Sequence, residues 1–170
     1  IYGDQMETLW GTIIPIPESQ VTALSGGEIL ELNSHQLKVI YTPGHASHHV
    51  SYLLDDDLLF TGDSAGILFE GSSVLRPALP PPEVDLELWK QSIEAMLQAK
   101  PKRLMLTHFG EVQDAQAHLS KVIERNQAWA DEVLTGLQLQ EDTVTLTKRI
   151  TDLAQKELLL DSASAEVMMK

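Results

Sequence analysis

The stretch of residues 42–63, which reads TPGHASHHVSYLLDDDLLFTGD, constrains the fold of this chain more than any other part of the sequence. Residues 50–54 and 58–61 are rich in β-branched, aromatic and leucine side chains, which favour β-strands. The three aspartates at 55–57 between them are typical turn residues. The stretch therefore predicts a tight hairpin, so that the residues just before it and just after it meet at one edge of a sheet.

Three side chains that can bind a metal ion follow predicted strands. His45 comes shortly after one strand, Asp63 follows the second strand of the hairpin, and His108 follows a short apolar strand. A nearby glycine suits an unusual backbone conformation and a close approach to a bound ion. The glycines concerned are Gly44, Gly62 and Gly110. We expect the three side chains to converge on shared metal ions.

The composition limits which metal ligands and which binding partners the chain can have. It contains no cysteine, so disulfides and thiolate ligands are excluded, and any metal must be held by histidine and carboxylate. The formal net charge of −13 argues against a nucleic-acid partner and against docking on an anionic membrane surface. No apolar run approaches the ~20 residues needed to span a bilayer. We expect a cytoplasmic protein whose partner is a small-molecule substrate.

The periodicity of the rest of the chain predicts mixed α/β structure. At 170 residues the chain is long enough for one domain with a sizeable core. The further elements are strands at 28–32, 36–41 and 104–106 and amphipathic helices at 85–98, from 113 to near 136, and at 143–159.

Two segments have no such periodicity. The connection at 64–82, rich in glycine and proline, either lines a substrate site or forms a surface loop tucked against the core. The polar residues 161–170 are expected to form a flexible tail.

Three motifs give the sequence a resemblance to a known family: TPGH at 42–45, FTGD at 60–63 and TH at 107–108. In content, order and spacing they resemble the motifs of the metallo-β-lactamase fold superfamily of metallohydrolases, over roughly residues 32–133. The similarity is greatest to hydroxyacylglutathione hydrolase and its unassigned hydrolase relatives, although His48 stands where glycine is common in them. The resemblance implies an α/β fold, the αββα four-layer sandwich, with residues 1–160 supplying mainly the C-terminal half of one such domain.

The resemblance also implies a binuclear metal site. His45 would ligate the first metal, Asp63 would bridge both and take the catalytic role, and His108 would ligate the second. The cofactors are expected to be two divalent metal ions, with zinc favoured and iron or manganese as alternatives. A hydroxide bridging the metals would attack the carbonyl of an ester, thioester or lactone, while the metals stabilise the oxyanion.

One part of the family's pattern is missing. The motif His-x-His-x-Asp-His occurs nowhere among the six histidines, and the sequence that starts at Ile1 is typical of the interior of a domain. We expect an upstream half that supplies the other ligands. The alternative is a truncated, non-catalytic module with an incomplete metal site, and a nuclease of the same superfamily is disfavoured by the acidic charge. The open sheet face of a half-domain is expected to pair with another chain, as in a homo-oligomer.

The other polar residues have simpler interpretations. His49 is expected to orient the loop around the site rather than to bind metal. His48 could face a substrate, but an exposed histidine is the simpler expectation. His35, in a turn, and His118, on a helix, are both expected to be solvated. The aspartates at 55–57 could suggest a calcium site, yet a hairpin turn accounts for them without an ion.

Overall fold

The computed structural model describes residues 3–69, 72–79, 83–108 and 110–159 of the 170-residue chain. The predicted tail at 161–170 lies outside the described residues, and so does the end of the predicted connection at 80–82. Within the described ranges no helix is both long and apolar enough to cross a membrane.

The described residues contain eight strands, which form one large and one small sheet. In chain order they are β1 (Ile29–Leu32), β2 (His35–Tyr41), β3 (Val50–Leu54), β4 (Leu58–Phe60), β5 (Ile67–Leu68), β6 (Leu75–Arg76), β7 (Arg103–Leu106) and β8 (Gly110–Val112). The large sheet has the order β1-β2-β3-β4-β7-β8, while β5 and β6 pair separately. Neighbouring strands are antiparallel except for β4 and β7, which run parallel. The strands predicted at 28–32, 36–41, 50–54, 58–61 and 104–106 are thus confirmed to within one residue at either end.

The predicted hairpin turn joins β3 to β4. Asp55 and Asp56 have φ values of 50° and 53°, in the left-handed region that Asp tolerates better than most residues. The Asp57 carboxylate accepts a hydrogen bond from Arg103 Nε at 3.2 Å, so the turn is also attached to the start of β7. The aspartates therefore form the predicted hairpin turn, and Asp57 also makes a contact with β7 that the sequence does not predict.

In the part of the chain that the structure describes, four α-helices accompany the sheets: α1 (Met6–Trp10), α2 (Leu86–Gln98), α3 (Ala115–Gln138) and α4 (Thr143–Leu159). The two helices that pack on the large sheet begin at side-chain caps. Asp85 accepts a hydrogen bond from the Leu88 amide at 2.9 Å, and Asp114 accepts one from the Ala117 amide at 3.0 Å. These caps explain why the helix starts lie within two residues of the predicted ones.

The core lies between one face of the large sheet and helices α2 and α3. Leu53, Leu59 and Leu104 lie side by side on three neighbouring strands and are fully buried on this face. Each such burial contributes roughly 1.5–3 kcal/mol relative to an exposed side chain. The helices cover these leucines with a set of buried apolar residues: Trp89, Ile93 and Met96 from α2, and Leu119 and Val122 from α3.

The opposite face of the sheet is much less covered. Tyr52, Phe60 and Met105 lie side by side on it, in the register that alternates with the buried leucines. Phe60 is 38% exposed and Tyr41 on β2 is 47% exposed. One helix-covered face and one partly open apolar face are what one half of a sandwich presents.

The predicted irregular connection at 64–82 is more ordered than expected. It contains the antiparallel pair β5–β6, and both Leu75 and Ala78 belong to the buried core. Arg125 on α3 donates a hydrogen bond to the Leu75 carbonyl at 3.1 Å. The described part of this segment therefore packs against the core, which agrees with the second interpretation, and its role in lining a substrate site stays a prediction.

Candidate metal centre

Asp63 lies between the two histidines that the sequence pairs with it. Its Oδ2 is 3.2 Å from Nε2 of His45, and its Oδ1 is 3.3 Å from Nε2 of His108. Each carboxylate oxygen thus faces one imidazole nitrogen, which is the arrangement that a carboxylate shared between two ions needs. The structure brings the three predicted residues together, and their role as metal ligands remains a prediction.

The strand directions explain this convergence. β2 and β4 are both antiparallel to β3, and β7 is parallel to β4, so β2, β4 and β7 all end at the same edge of the sheet. His45, Asp63 and His108 each follow one of these strands within a few residues. The Thr61 amide donates a hydrogen bond to the Met105 carbonyl at 3.1 Å, which holds the ends of β4 and β7 together.

The imidazole of His45 is oriented by the connection after β6. Its Nδ1 lies 2.8 Å from the carbonyl oxygen of Ala78. A carbonyl can only accept, so Nδ1 carries a proton, and in a neutral ring the lone pair is then on Nε2. The ring also packs edge-on against Trp89, with 5.6 Å between ring centroids. His45 is therefore held in the tautomer that a metal ligand requires.

One carboxylate oxygen of Asp63 lacks a hydrogen-bond donor among the described residues. Oδ1 is buried and accepts no hydrogen bond from any described residue, although His108 Nε2 is nearby. A buried carboxylate oxygen without a donor is costly, because it has lost its hydration and gained nothing in return. A cation beside Oδ1 would remove this cost, so the donor set of this edge fits a divalent metal ion.

The described residues alone do not provide a complete coordination sphere for a metal ion. Among them no group of three or more His, Asp or Glu side chains is arranged to hold one metal. Each Asp63 oxygen faces a single imidazole, so the described residues offer two donors at each of two positions. Zinc sites in proteins commonly have about four ligands. Further ligands from outside the described residues would be needed to complete either position.

His49 contacts the backbone of Asp63, as expected for a residue that orients the site. Its Nε2 accepts a hydrogen bond from the Asp63 amide at 3.2 Å, and its Nδ1 lies 2.8 Å from Thr42 Oγ1. Burial lowers the pKa of His49 below its ordinary value, which favours the neutral ring that this accepting role needs. His48 is exposed, as the sequence indicates.

Gly44 and Gly62 lie close to other groups of the protein, whereas the sequence predicts a close approach to a bound ion. Gly44 has φ 121° and Gly62 has φ 54°, in the region that favours glycine. A Cβ atom on Gly44 would lie less than 3.0 Å from the backbone of Trp89, and one on Gly62 equally close to the ring of His49. The sequence correctly indicates unusual backbone at both positions, but the groups they approach belong to the protein.

His118 contradicts the prediction that it is solvated. It is only 8% exposed, and its Nε2 lies 2.9 Å from the carbonyl oxygen of Ala65, in the turn that carries Asp63. It stands three residues after Ala115 and four before Val122, so it shares the buried stripe of α3. That spacing was visible in the sequence and could have shown that His118 faces the core. His35, by contrast, is exposed and pairs with Asp55 at 2.5 Å.

Sizeable cavities lie elsewhere in the described part of the molecule. One, of about 620 Å³, is lined by apolar side chains that include Trp129, Leu134 and Ile150. Another, of about 430 Å³, has a mainly charged lining that includes Arg149. His45, Asp63 and His108 line neither, so the candidate site is identified by its donor atoms and not by the size of a cavity.

Sequence and structure comparisons with known proteins identify the same family. A sequence profile described as "Metallo-beta-lactamase superfamily" matches residues 2–108. The metallo-beta-lactamase fold-containing protein ST1585 of Sulfurisphaera tokodaii is 34% identical over 75% of this chain and 48% of its own length. The crystal structure of ST1585 superposes with a TM-score of 0.60, over 72% of this chain and 45% of that one.

Two further relatives have enzyme names. A hydroxyacylglutathione hydrolase of Shewanella halifaxensis is 29% identical over 74% of this chain and 43% of its own length. An atrochrysone carboxyl ACP thioesterase of Aspergillus fumigatus is 24% identical over 84% of this chain and 43% of its own length. The chain thus spans less than half the length of these relatives. Profile and superposition together establish the metallo-beta-lactamase fold, as the sequence motifs predict.

Proposed function

The chain belongs to the metallo-beta-lactamase superfamily, and we propose that it provides part of the metal site of a hydrolase acting on an ester, thioester or lactone. Relatives named as a hydroxyacylglutathione hydrolase and as an acyl carrier protein thioesterase support a carbonyl substrate of this kind. A small-molecule substrate, a cytoplasmic location and the absence of nucleic-acid and membrane partners belong to the same proposal and remain predictions.

The observation that carries the proposal is the position of Asp63 between two imidazoles. His45 would hold one divalent ion through Nε2, His108 would hold a second, and Asp63 would contact both through its two oxygens. Zinc is the favoured metal, and iron or manganese suit the same donors. The chemistry that such ions supply is activation of water near neutral pH and polarisation of a carbonyl.

The residues around the ligands prepare them for this role. The Ala78 carbonyl keeps the proton of His45 on Nδ1 and so leaves Nε2 available. His49 accepts the Asp63 amide hydrogen and so sets the direction in which the carboxylate leaves the backbone. Holding ligands in place before binding lowers the ordering cost of binding, and contacts of this kind typically change metal affinity by about 10–100-fold.

A second function is favoured by the incomplete ligand set. Because each Asp63 oxygen faces only one histidine, the chain alone could be a non-catalytic module that uses the same fold for assembly. In that case metal binding would be weak and hydrolysis absent. The two functions differ in what the purified chain does with zinc and with a reactive ester.

Zinc affinity tests the site directly. Competition with a chromophoric chelator would compare the wild type with Asp63→Asn, which keeps the shape of the side chain and removes its charge. The matched control is Asp55→Asn, since Asp55 also pairs with an imidazole, at 2.5 Å, but far along the hairpin from the site. We expect Asp63→Asn to weaken zinc binding at least tenfold and Asp55→Asn to leave it unchanged. Equal affinity of all three proteins would refute the site.

Hydrolysis separates the two functions. The zinc-loaded chain would be assayed with an aryl ester, a glutathione thioester and a lactone, with and without a chelator. Turnover that is lost on chelation and in Asp63→Asn supports the hydrolase. Zinc binding without turnover of any of the three, also when a segment that supplies the further ligands is present, supports the non-catalytic module.

A further inference from the structure

The short 3-10 turn that carries Asp63, Gly62–Ala65, is held by side chains from three separate elements. His49, just before β3, accepts the Asp63 amide hydrogen at 3.2 Å. Trp89 on α2 donates its indole hydrogen to the carbonyl of Ser64 at 2.7 Å. Consecutive residues of the turn are therefore attached to the loop before the hairpin and to the helix that covers the core.

The third attachment comes from α3, a helix that contributes none of the three candidate ligands. His118 Nε2 lies 2.9 Å from the carbonyl oxygen of Ala65. Since the carbonyl can only accept, His118 is the donor. Ala65 is fully buried, so water has no access to replace this donor. Burial also lowers the pKa of His118, which keeps the ring neutral.

We infer that His118 is a positioning residue for Asp63: its hydrogen bond to Ala65 fixes the turn so that the two carboxylate oxygens face His45 and His108 simultaneously. The inference rests on the proposed function, in which Asp63 binds both ions. A turn with one carbonyl released could rotate, and both oxygen–nitrogen distances of 3.2 and 3.3 Å depend on the same rotation. α3 thereby contributes to the site although it supplies none of the three candidate ligands.

The test compares three substitutions at one position. His118→Leu removes the donor, and His118→Asn keeps a polar side chain too short to reach the Ala65 carbonyl. His118→Gln keeps an N–H close to the position of Nε2. The matched control is Asn126→Leu, because Asn126 is a buried polar residue on the same helix, 7% exposed, whose Oδ1 accepts no hydrogen bond from the described residues.

Zinc affinity is the first readout. We expect His118→Leu and His118→Asn to weaken zinc binding about 10–100-fold, as for other residues that orient a ligand. His118→Gln is expected to stay close to the wild type, and Asn126→Leu to equal it. A loss in Asn126→Leu as large as that in His118→Leu, or no rescue by glutamine, would show that His118 serves only general stability and would overturn the inference.

Amide hydrogen exchange without metal is the second readout. The amides of Asp63 and Gly66 are hydrogen-bonded at 3.2 and 3.0 Å across this turn. Their exchange should accelerate in His118→Leu and His118→Asn relative to the amides of β3, and not in the control. Unchanged exchange overturns the inference whether or not zinc binds. If the wild type binds no zinc but the exchange accelerates as expected, the proposed function fails while the turn contact stands.

Discussion

Gly62 and His49 are packed so closely that no side chain could fit between them, since a Cβ atom on Gly62 would lie less than 3.0 Å from the imidazole. The same approach lets His49 reach the amide of the next residue, Asp63. The glycine of the FTGD motif is therefore explained by its intramolecular contact with His49, which a side chain at position 62 would prevent.

We expect Gly62→Ala to destabilise the fold and to disturb the site together. The backbone at φ 54° costs an alanine about 1–2 kcal/mol, and the new methyl group must displace the ring of His49. Urea denaturation should show the loss of stability, and chelator competition should show weaker zinc binding. A variant with wild-type stability and zinc affinity would contradict the packing described for this turn.

Gly44→Ala is expected to be more damaging. A methyl group there meets the main-chain nitrogen and Cα of Trp89, which lie in the first turn of α2 and cannot move aside as a ring can. We expect a loss beyond about 3 kcal/mol or failure to fold. Gly27→Ala is the control, because Gly27 also has a positive φ, 92°, but open space around it. Equal thermal stability of the two variants would refute the role assigned to this contact.

Stability should fall as the solution becomes acidic, in part through His118. Burial lowers its folded-state pKa below the ordinary value of 6.5. Below 6.5 the unfolded chain therefore binds a proton that the folded chain does not yet bind, and the unfolding free energy decreases as the pH decreases. The contribution is fully present above 6.5. Denaturation at several pH values should show a shallower dependence in His118→Gln, and an unchanged slope would contradict this assignment.

The partly open sheet face predicts association of the isolated chain. Phe60 is 38% exposed on a face whose neighbours Tyr52 and Met105 are also apolar. Such a face is expected to pair with another chain. Sedimentation velocity at several concentrations should detect the association, and Phe60→Lys should reduce it. A monodisperse monomer at every concentration would contradict the prediction.

Most of the secondary structure and its order can be predicted from local patterns in the sequence. The hairpin followed from two strand-forming runs around three aspartates, and the caps Asp85 and Asp114 mark helices whose periodicity was already clear. The convergence of His45, Asp63 and His108 followed from their shared position after strands. These features depend on neighbours in sequence, which is why the sequence predicts them.

Most of the features that the sequence does not predict involve partners distant in the chain. His118 meets Ala65 across 53 positions, and His45 meets Ala78 across 33, and neither partner is marked by any motif. Likewise the unusual backbone of Gly44 was predictable, but its neighbour Trp89 depends on how α2 packs. The pairing of β5 with β6 was missed because strands of two residues carry too little pattern to detect.

The contact between His45 and Ala78 uses a main-chain oxygen, which every amino acid possesses. The choice of side chain at position 78 is therefore limited by the room available there and not by the hydrogen bond itself. The turn that carries Asp63 is held in the same way, because Trp89 and His118 donate to the main-chain carbonyls of Ser64 and Ala65. Substitutions at Ser64, Ala65 and Ala78 can therefore leave these hydrogen bonds in place, provided that the backbone keeps its path.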